Sequence, residues 1–316
     1  MTISQPGGQP AATGKDKVRV FLGPEQPTEL AEAITGAGGI LVEAGDAEAI
    51  VWYGGKPDAL PDLLSPAVRW IQLPSAGVEP WLAADVLPTD VVVTSAAGAY
   101  AVTVAEHTLA LLLAGARRLH DLARARTWTS PRMTTLRDAT VVIVGAGGIG
   151  KALISLLAPL EARVVAVTRS GREVEGVQQS VGPDGMPAAL AEADYVVLTA
   201  PATAETVHLI GAAQLEAMKP FAWLVNVSRG TLVDTDALVD ALRKGSIGGA
   251  GLDVTDPEPL PDDHPLWTEP GVLITPHTAN PDSLLLPRLA ERVAENLERF
   301  RAGENLVGVV DRDRGY

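Results

Sequence analysis

The feature that most constrains the fold is a glycine-rich turn between a strand and a helix. The apolar run ATVVIVG (139–145) leads into GAGGIG (145–150), and the helical stretch KALISLLAPL follows at once. A GxGxxG turn in this setting lets a dinucleotide pyrophosphate approach the backbone at the N-terminus of the helix. The first glycine permits the tight turn, the second gives the pyrophosphate room, and the third allows close helix packing. The expected cofactor-binding residues here are Gly145, Gly147, Gly148, Ile149 and Gly150; a glycine-rich turn without a ligand is the alternative.

Short apolar runs alternate with Ala- and Leu-rich helical stretches along the chain. This alternation is typical of parallel sheets covered by helices on both faces, so the predicted fold class is α/β. In a first unit the expected strands are 18–22, 39–44, 49–53, 68–73 and 91–95, with a helix over 27–37. In a second unit the expected strands are 139–145, 163–168, 194–200, 222–228, 249–254 and 271–276. Six strands fit a doubly wound nucleotide-binding fold.

The length of 316 residues predicts two domains. A long helical stretch over 101–126 suits a helix that leaves one unit and enters the other, and we place the hinge near Gly98. A second helix over 282–302 leads to the apolar tail LVGVV (306–310), which is expected to pack on the first unit. The expected division is a flexible tail over 1–16, a substrate domain of 17–98 with 284–316, and a dinucleotide-binding domain of 99–283.

The charge balance limits the partners of this chain. It has 25 basic and 39 acidic residues, and a net charge of −14 disfavours nucleic acid and anionic membranes. Cysteine is absent, which excludes disulfides, thiolate nucleophiles and Cys-ligated metals. The longest apolar stretch, Tyr100 to Ala116, is too short and too polar to span a bilayer, and 1–16 has no apolar core of a secretory signal. We therefore expect a cytoplasmic protein that acts on a small molecule, with no metal site.

The residues after the second strand of the nucleotide fold bear on the choice of cofactor. That strand ends in TRSGR (168–172), roughly 20 residues past the last glycine, where an NAD site would carry Asp or Glu. Arg169 and Ser170 can bind a 2′-phosphate, and Arg172 adds positive charge. The segment, including Thr168, predicts a preference for NADP with NAD possible; arginines that only solvate a loop are the alternative.

Three polar residues follow three apolar runs of the second unit: Arg229, Glu258 and His277. Ligands of doubly wound sheets bind beyond the carboxyl ends of the strands. Arginine can bind a carboxylate and a keto oxygen together, histidine can donate a proton near neutral pH, and a carboxylate can stabilise the protonated imidazole. The set predicts reduction of a 2-oxo acid. A structural ion pair at Arg229 and an exposed loop acid at Glu258 are the alternatives, and Asp253 and Asp256 compete with Glu258.

These segments together resemble the D-isomer-specific 2-hydroxyacid dehydrogenase family, from residue 17 onward. The matching strings are VVIVGAGGIGKAL (141–153), LTAPATAETVHLI (198–210), VNVSRGTLVDTDALVDAL (225–242), AGLDVTDPEPLPDDHPLW (250–267) and TPHTA (275–279). The resemblance implies a flavodoxin-like substrate domain beside a Rossmann domain, and a D-2-hydroxy acid product. It also implies Arg229 as substrate anchor, His277 as acid and base with Glu258 as its partner, and a homodimer formed through the 101–126 helix.

The resemblance assigns further residues. It implies a substrate loop over 73–78 with Ser75, Ala76 and Gly77, in which the backbone N–H groups of Ala76 and Gly77 receive the carboxylate. It also implies that Asp253 contacts the nicotinamide carboxamide. Further residues that it places along the cofactor are Pro201, Thr206, Asn226 and Val227.

Among subfamilies, TRSGR and the compact length are most similar to NADPH-dependent glyoxylate/hydroxypyruvate reductases. The substrate loop departs from the usual pattern by continuing as VEPWL, and Trp52 and Tyr53 are expected to bring aromatic bulk near the pocket. A larger or more apolar 2-oxo acid therefore stays open. A D-3-phosphoglycerate dehydrogenase-like enzyme and a non-enzymatic nucleotide-sensing co-repressor of the same fold are the other two candidates.

Overall fold

Helices and strands alternate along the chain in a computed structural model that describes residues 17–316. The expected flexible tail over 1–16 lies outside the described residues. The strands are β1 Val18–Pro24, β2 Gly39–Leu41, β3 Ala49–Tyr53, β4 Trp70–Gln72, β5 Val92–Thr94, β6 Thr140–Val144, β7 Arg163–Val167, β8 Gln179–Val181, β9 Tyr195–Leu198, β10 Trp223–Asn226, β11 Gly249–Leu252 and β12 Val272–Ile274. The α-helices are α1 Thr28–Gly36, α2 Glu79–Ala83, α3 Ala101–Ala116, α4 Leu119–Arg124, α5 Gly148–Leu157, α6 Met186–Glu192, α7 Ala212–Ala217, α8 Thr235–Lys244 and α9 Asp282–Ala302.

The chain divides into two units. The first ends at Tyr100 and is completed by Asp282–Tyr316, and the second is Ala101–Pro281. These boundaries lie within two residues of those expected. No helix within residues 17–316 has both the length and the apolar composition needed to cross a membrane.

The first unit is built on a five-stranded parallel sheet with the order β2-β1-β3-β4-β5. This order is that of flavodoxin-like domains, so the expected architecture is confirmed. Helix α9 packs against α1, and the chain that follows it forms an antiparallel bridge between Val309 and Thr94. The apolar tail therefore packs on the first unit, as its composition predicted.

The second unit is built on a seven-stranded parallel sheet with the order β12-β11-β10-β9-β6-β7-β8. Counted from β6, this is the doubly wound Rossmann order with one more strand at the β12 edge. The sequence predicted six of the seven strands. It missed β8, because this edge strand has three residues, none of them fully buried, and so lacks an apolar pattern.

The prediction of a single helix over 101–126 is wrong. The helix is broken between α3 and α4 at Arg118, which has a left-handed φ of 52°. The break turns His120 into the interior, where its ring packs against Trp223 at a tilt of 42°, with the ring centroids 5.0 Å apart. This contact joins residues a hundred positions apart, so the local helical pattern did not reveal it.

Candidate active site

The glycine-rich turn between β6 and α5 has the geometry of a dinucleotide site. Gly145 has a φ of +100°, and a Cβ there would lie 2.5 Å from the backbone nitrogen of Ala200. A Cβ on Gly150 would lie 2.4 Å from the carbonyl oxygen of Gly145, so the helix packs closely on the turn. By contrast, a Cβ on Gly147 would meet no atom of the described chain within 4 Å. The open space lies at the N-terminus of α5, where unpaired N–H groups favour a phosphate.

The turn after β7 carries the residues expected at the adenosine ribose. Arg169, Ser170 and Arg172 are exposed, and the backbone N–H of Arg172 donates to Ser170 Oγ at 3.4 Å. The Thr168 hydroxyl is buried and has no hydrogen-bond partner in the part of the chain that the structure describes. Segment 168–172 thus carries hydroxyl and guanidinium groups and has no carboxylate. This composition fits a ribose that carries a phosphate.

Other expected cofactor residues lie on the loop that follows β9 and at the end of β10. The Thr206 hydroxyl donates to the Pro201 carbonyl at 2.8 Å, and it accepts from the Thr203 N–H at 2.8 Å. This hydroxyl therefore orders its own loop. The side chain of Val227 is buried, so this residue would reach a cofactor only through its backbone.

Arg229, Glu258 and His277 follow β10, β11 and β12, which are neighbours in the parallel sheet. The Nδ1 atom of His277 lies 2.6 Å from Glu258 Oε1. Both side chains are partly exposed, at 54% for His277 and 41% for Glu258. The predicted pair is therefore in place at the carboxyl edge of the sheet, and Glu258 rather than its competitors Asp253 and Asp256 contacts the imidazole.

The segment that carries Glu258 is held against the turn that carries Arg229. A Cβ on Gly230 would lie 1.8 Å from the carbonyl oxygen of Thr255, so only glycine allows this approach. The hydroxyl of Thr235 donates to the Asp256 carbonyl at 2.6 Å. Two contacts on neighbouring residues therefore fix the chain just before Glu258.

The turn that carries Arg229 is organised by Asn226. Its amide nitrogen donates to the Arg229 carbonyl at 2.9 Å, and its amide oxygen accepts from the Ser228 N–H at 3.1 Å. Asn226 is only 1% exposed. Its side chain thus shapes the turn, while the Arg229 guanidinium donates to the Ser228 carbonyl at 2.8 Å.

Asp253 lies behind the loop that carries His277. Its carboxylate is almost fully buried and accepts from Thr275 Oγ1 at 2.6 Å, from Thr278 N at 2.9 Å and from Ala279 N at 3.1 Å. These bonds fold residues 275–279 around the carboxylate. A contact of Asp253 with a nicotinamide stays a prediction.

The expected substrate loop belongs to the first unit and is held from within that unit. Ser75 Oγ donates to the Gly77 carbonyl at 2.6 Å, and the Tyr100 hydroxyl donates to the Pro74 carbonyl at 2.7 Å. Burial raises the pKa of Tyr100 far above its ordinary value, which keeps this hydroxyl a donor. Within the described residues the N–H groups of Ala76 and Gly77 have no partner, as a carboxylate-binding turn requires.

Of the two aromatic residues expected near the pocket, Trp52 is 1% exposed and lies in the core of the first unit, whereas Tyr53 is partly exposed. Trp52 packs edge to face on Trp81, with ring centroids 5.3 Å apart. Trp81, in the unusual VEPWL sequence, thus anchors helix α2 in this core, and the buried Trp52 ring gives no support for a larger substrate. Tyr100 was not among the predicted residues of the site, because a single tyrosine before a helix has no pattern that marks it.

Comparisons with known proteins agree with this geometry. The model of the family described as "D-isomer specific 2-hydroxyacid dehydrogenase, NAD binding domain" matches residues 109–279. An uncharacterised protein of Corynebacterium melassecola is 43% identical over 86% of this chain and 90% of its own length. A glyoxylate/hydroxypyruvate reductase B of Pectobacterium carotovorum is 35% identical over 82% of this chain and 83% of its own. The structure of a D-isomer specific 2-hydroxyacid dehydrogenase from Xanthobacter autotrophicus, solved with NADPH and MES, is 30% identical, with a TM-score of 0.84, and the match covers 96% of this chain and all of that one.

Proposed function

This chain belongs to the D-isomer specific 2-hydroxyacid dehydrogenase family, and from that premise we propose that it uses NADPH to reduce a small 2-oxo acid to the D-2-hydroxy acid. The substrate class is that of glyoxylate and hydroxypyruvate. The observation that carries the proposal is the contact of His277 with Glu258 beside the strand that ends before Arg229.

Each of the three residues has a separate task in this reaction. The Arg229 guanidinium binds the carboxylate and the 2-oxo oxygen of the substrate and orients the carbonyl. Glu258 holds Nδ1 of His277, which leaves Nε2 to donate a proton to the developing alkoxide. Glu258 also stabilises the imidazolium that precedes this transfer. The cofactor, when bound, supplies the hydride that reduces the carbonyl carbon.

The preference for NADPH rests on the turn after β7. Arg169 and Arg172 offer positive charge to a 2′-phosphate, while the segment lacks the carboxylate that would bind the ribose hydroxyls of NAD. The relative from Xanthobacter autotrophicus was solved with NADPH. NAD would still bind through the same pyrophosphate turn, with lower affinity.

Exposed apolar side chains on α3 and after it support a homodimer. Val102 and Leu113 lie on one exposed stripe of α3, and Leu119 and Trp128 are exposed farther along the chain. Exposed apolar side chains of this kind mark a protein interface, and the partner that we propose is a second copy of the chain. A cytoplasmic location stays a prediction.

The experiment that tests the function is a panel of initial rates at pH 7. NADPH and NADH would each be combined with glyoxylate, hydroxypyruvate, pyruvate, phenylpyruvate and phosphohydroxypyruvate. Rapid NADPH oxidation with the first two acids is expected. Turnover restricted to the phosphorylated acid would favour a phosphoglycerate dehydrogenase-like enzyme. Binding of NADPH without any turnover would favour the nucleotide-sensing protein.

A further inference from the structure

A histidine outside the predicted catalytic set contacts the loop that carries His277. His107 lies in α3, 170 positions before His277, and only part of its side chain is exposed. We propose that His107 is a positioning residue, which fixes the His277 loop through Thr275 and Asp253. The inference rests on the proposed function, because it assigns a task within that site.

The contacts determine which atom of His107 carries the proton. Its Nε2 atom lies 2.9 Å from Thr275 Oγ1 and 3.4 Å from Asp253 Oδ1. The Thr275 hydroxyl gives its own proton to Asp253 Oδ1 at 2.6 Å, since a carboxylate only accepts. The hydroxyl is then left as an acceptor toward His107. His107 therefore donates from Nε2 to Thr275 and, more weakly, to Asp253.

Asp253 in turn binds the backbone of the loop that carries His277. Its carboxylate accepts from Thr278 N and Ala279 N, and its carbonyl accepts from the backbone N–H of His277 at 2.8 Å. His277 has a φ of +52°, a conformation that non-glycine residues rarely adopt. The loop keeps this conformation because residues on both sides of His277 bond to one buried carboxylate. The conformation in turn directs the ring toward Glu258.

Helix α3 lies close to strand β11, and this close packing brings His107 within hydrogen-bond distance of the loop. Leu111 lies one helical turn after His107 on the same face of α3. A Cβ on Gly251 would lie 3.2 Å from the Cβ of Leu111, so glycine in β11 allows the helix to lie close to the strand. His107 is thereby placed at the end of β11, where Asp253 follows. The positions of a helix, a strand and a loop are thus linked through one imidazole.

The kinetic test compares variants that remove or retain the donor. His107→Leu removes the N–H donor, whereas His107→Gln retains an N–H at a similar distance from the backbone. Likewise, Thr275→Val removes the hydroxyl and Thr275→Ser retains it. We expect kcat for glyoxylate to fall roughly tenfold in the Leu and Val variants, because a small displacement of the proton donor slows the reaction. We expect KM for NADPH to change by less than about twofold. The Gln and Ser variants should regain most of the rate, and Asp240→Asn, at an exposed position of α8, is the control.

A double-variant comparison and a spectroscopic measurement complete the test. His107→Leu combined with Thr275→Val should be no slower than either variant alone, since both remove the same link. Independently of turnover, the proton shared by His277 and Glu258 would be followed by nitrogen-edited NMR of the five histidines, assigned with His277→Gln. We expect its resonance to shift and broaden in the Leu and Val variants.

The outcomes separate this inference from the proposed function. If the unmodified chain turns over no oxo acid, the proposed function fails, while the NMR measurement still tests the link. An unchanged His277 resonance in folded Thr275→Val would overturn the inference. A loss in His107→Gln as large as that in His107→Leu would also overturn it, because it would indicate helix packing alone. Additive losses in the double variant would overturn it too, because they would show that the two residues act independently.

Discussion

The ring of His277 is bonded at Nδ1 to Glu258, 2.6 Å away, although the two residues follow different strands of the sheet. Because β11 and β12 are parallel neighbours, residues just beyond their ends meet at one edge. The bond engages Nδ1 and so leaves Nε2 for the proton transfer that we propose.

Removing the charge of Glu258 should slow the reaction without loosening the cofactor. In Glu258→Gln we expect kcat at pH 7 to fall roughly 10- to 100-fold, because the amide still accepts from the imidazole but no longer stabilises its charged form. The Kd for NADPH, measured by fluorescence titration, should stay within about twofold. Asp262→Asn, in the same exposed segment, is the matched control and should keep full activity. A wild-type kcat in Glu258→Gln would remove Glu258 from the mechanism.

Reversing the charge at Arg169 should change the cofactor preference. In Arg169→Asp we expect the ratio of kcat/KM for NADPH to that for NADH to fall by at least about tenfold, since a carboxylate repels a 2′-phosphate and binds ribose hydroxyls. The measurement is the pair of initial-rate curves at saturating glyoxylate. Arg163→Asp, at the exposed start of the same strand, is the control. An unaltered ratio in Arg169→Asp would show that the phosphate lies elsewhere.

The sequence predicted the cofactor turn and the three strand-end residues because each depends on short-range features. Gly145 and Gly150 are dictated by the turn itself, and residues after apolar runs must lie at one edge of a parallel sheet. The local sequence thus indicated that Arg229, Glu258 and His277 would follow neighbouring strands at one edge of the sheet.

The supporting contacts were not predictable in the same way. His107 was not among the predicted site residues, because its partners Thr275 and Asp253 lie about 150 positions or more away. The break at Arg118 and the burial of Trp52 likewise depend on tertiary packing, on Trp223 and Trp81 respectively. Tertiary packing overrides local propensity at such positions, and only the assembled fold reveals them.

A charged residue on the exposed stripe of α3 should separate the proposed dimer. In Leu113→Glu we expect the mass from light scattering to fall from two chains to one, because a buried unpaired carboxylate is costly at an interface. Leu41→Glu replaces an equally exposed leucine of the first unit, 41% against 38%, and should leave the mass unchanged. A single-chain mass for the unmodified protein would contradict the dimer directly.

Acid should weaken the fold through His120. Burial lowers the pKa of this histidine, with Arg118 and Arg124 acting in the same direction and Asp121 opposing them. The unfolded chain binds a proton near pH 6.5, whereas the folded chain binds it only at lower pH. The free energy of unfolding should therefore fall as pH decreases below about 6.5.

The comparison is urea unfolding at pH 8 and pH 5.5. In His120→Phe, which keeps a ring against Trp223, the decrease between the two pH values should be smaller than in the unmodified chain. His208→Phe, at an exposed position, should leave the decrease unchanged. An identical decrease in His120→Phe would place the acid sensitivity at another group.

The same substitution at two glycines of the cofactor turn should affect different properties, NADPH binding at Gly147 and thermal stability at Gly150. Gly147→Ala adds a methyl group where the described chain has no atom within 4 Å, and its φ of −77° suits alanine. The melting temperature should therefore stay unchanged, while the Kd for NADPH should rise roughly tenfold or more, because the methyl group takes the space of the pyrophosphate. Gly150→Ala directs its methyl group at the Gly145 carbonyl oxygen, 2.4 Å away. The melting temperature should fall, because the packed turn cannot yield without moving α5. Unchanged NADPH binding in a stable Gly147→Ala would mean that no pyrophosphate approaches this turn, and the cofactor assignment would fail with it.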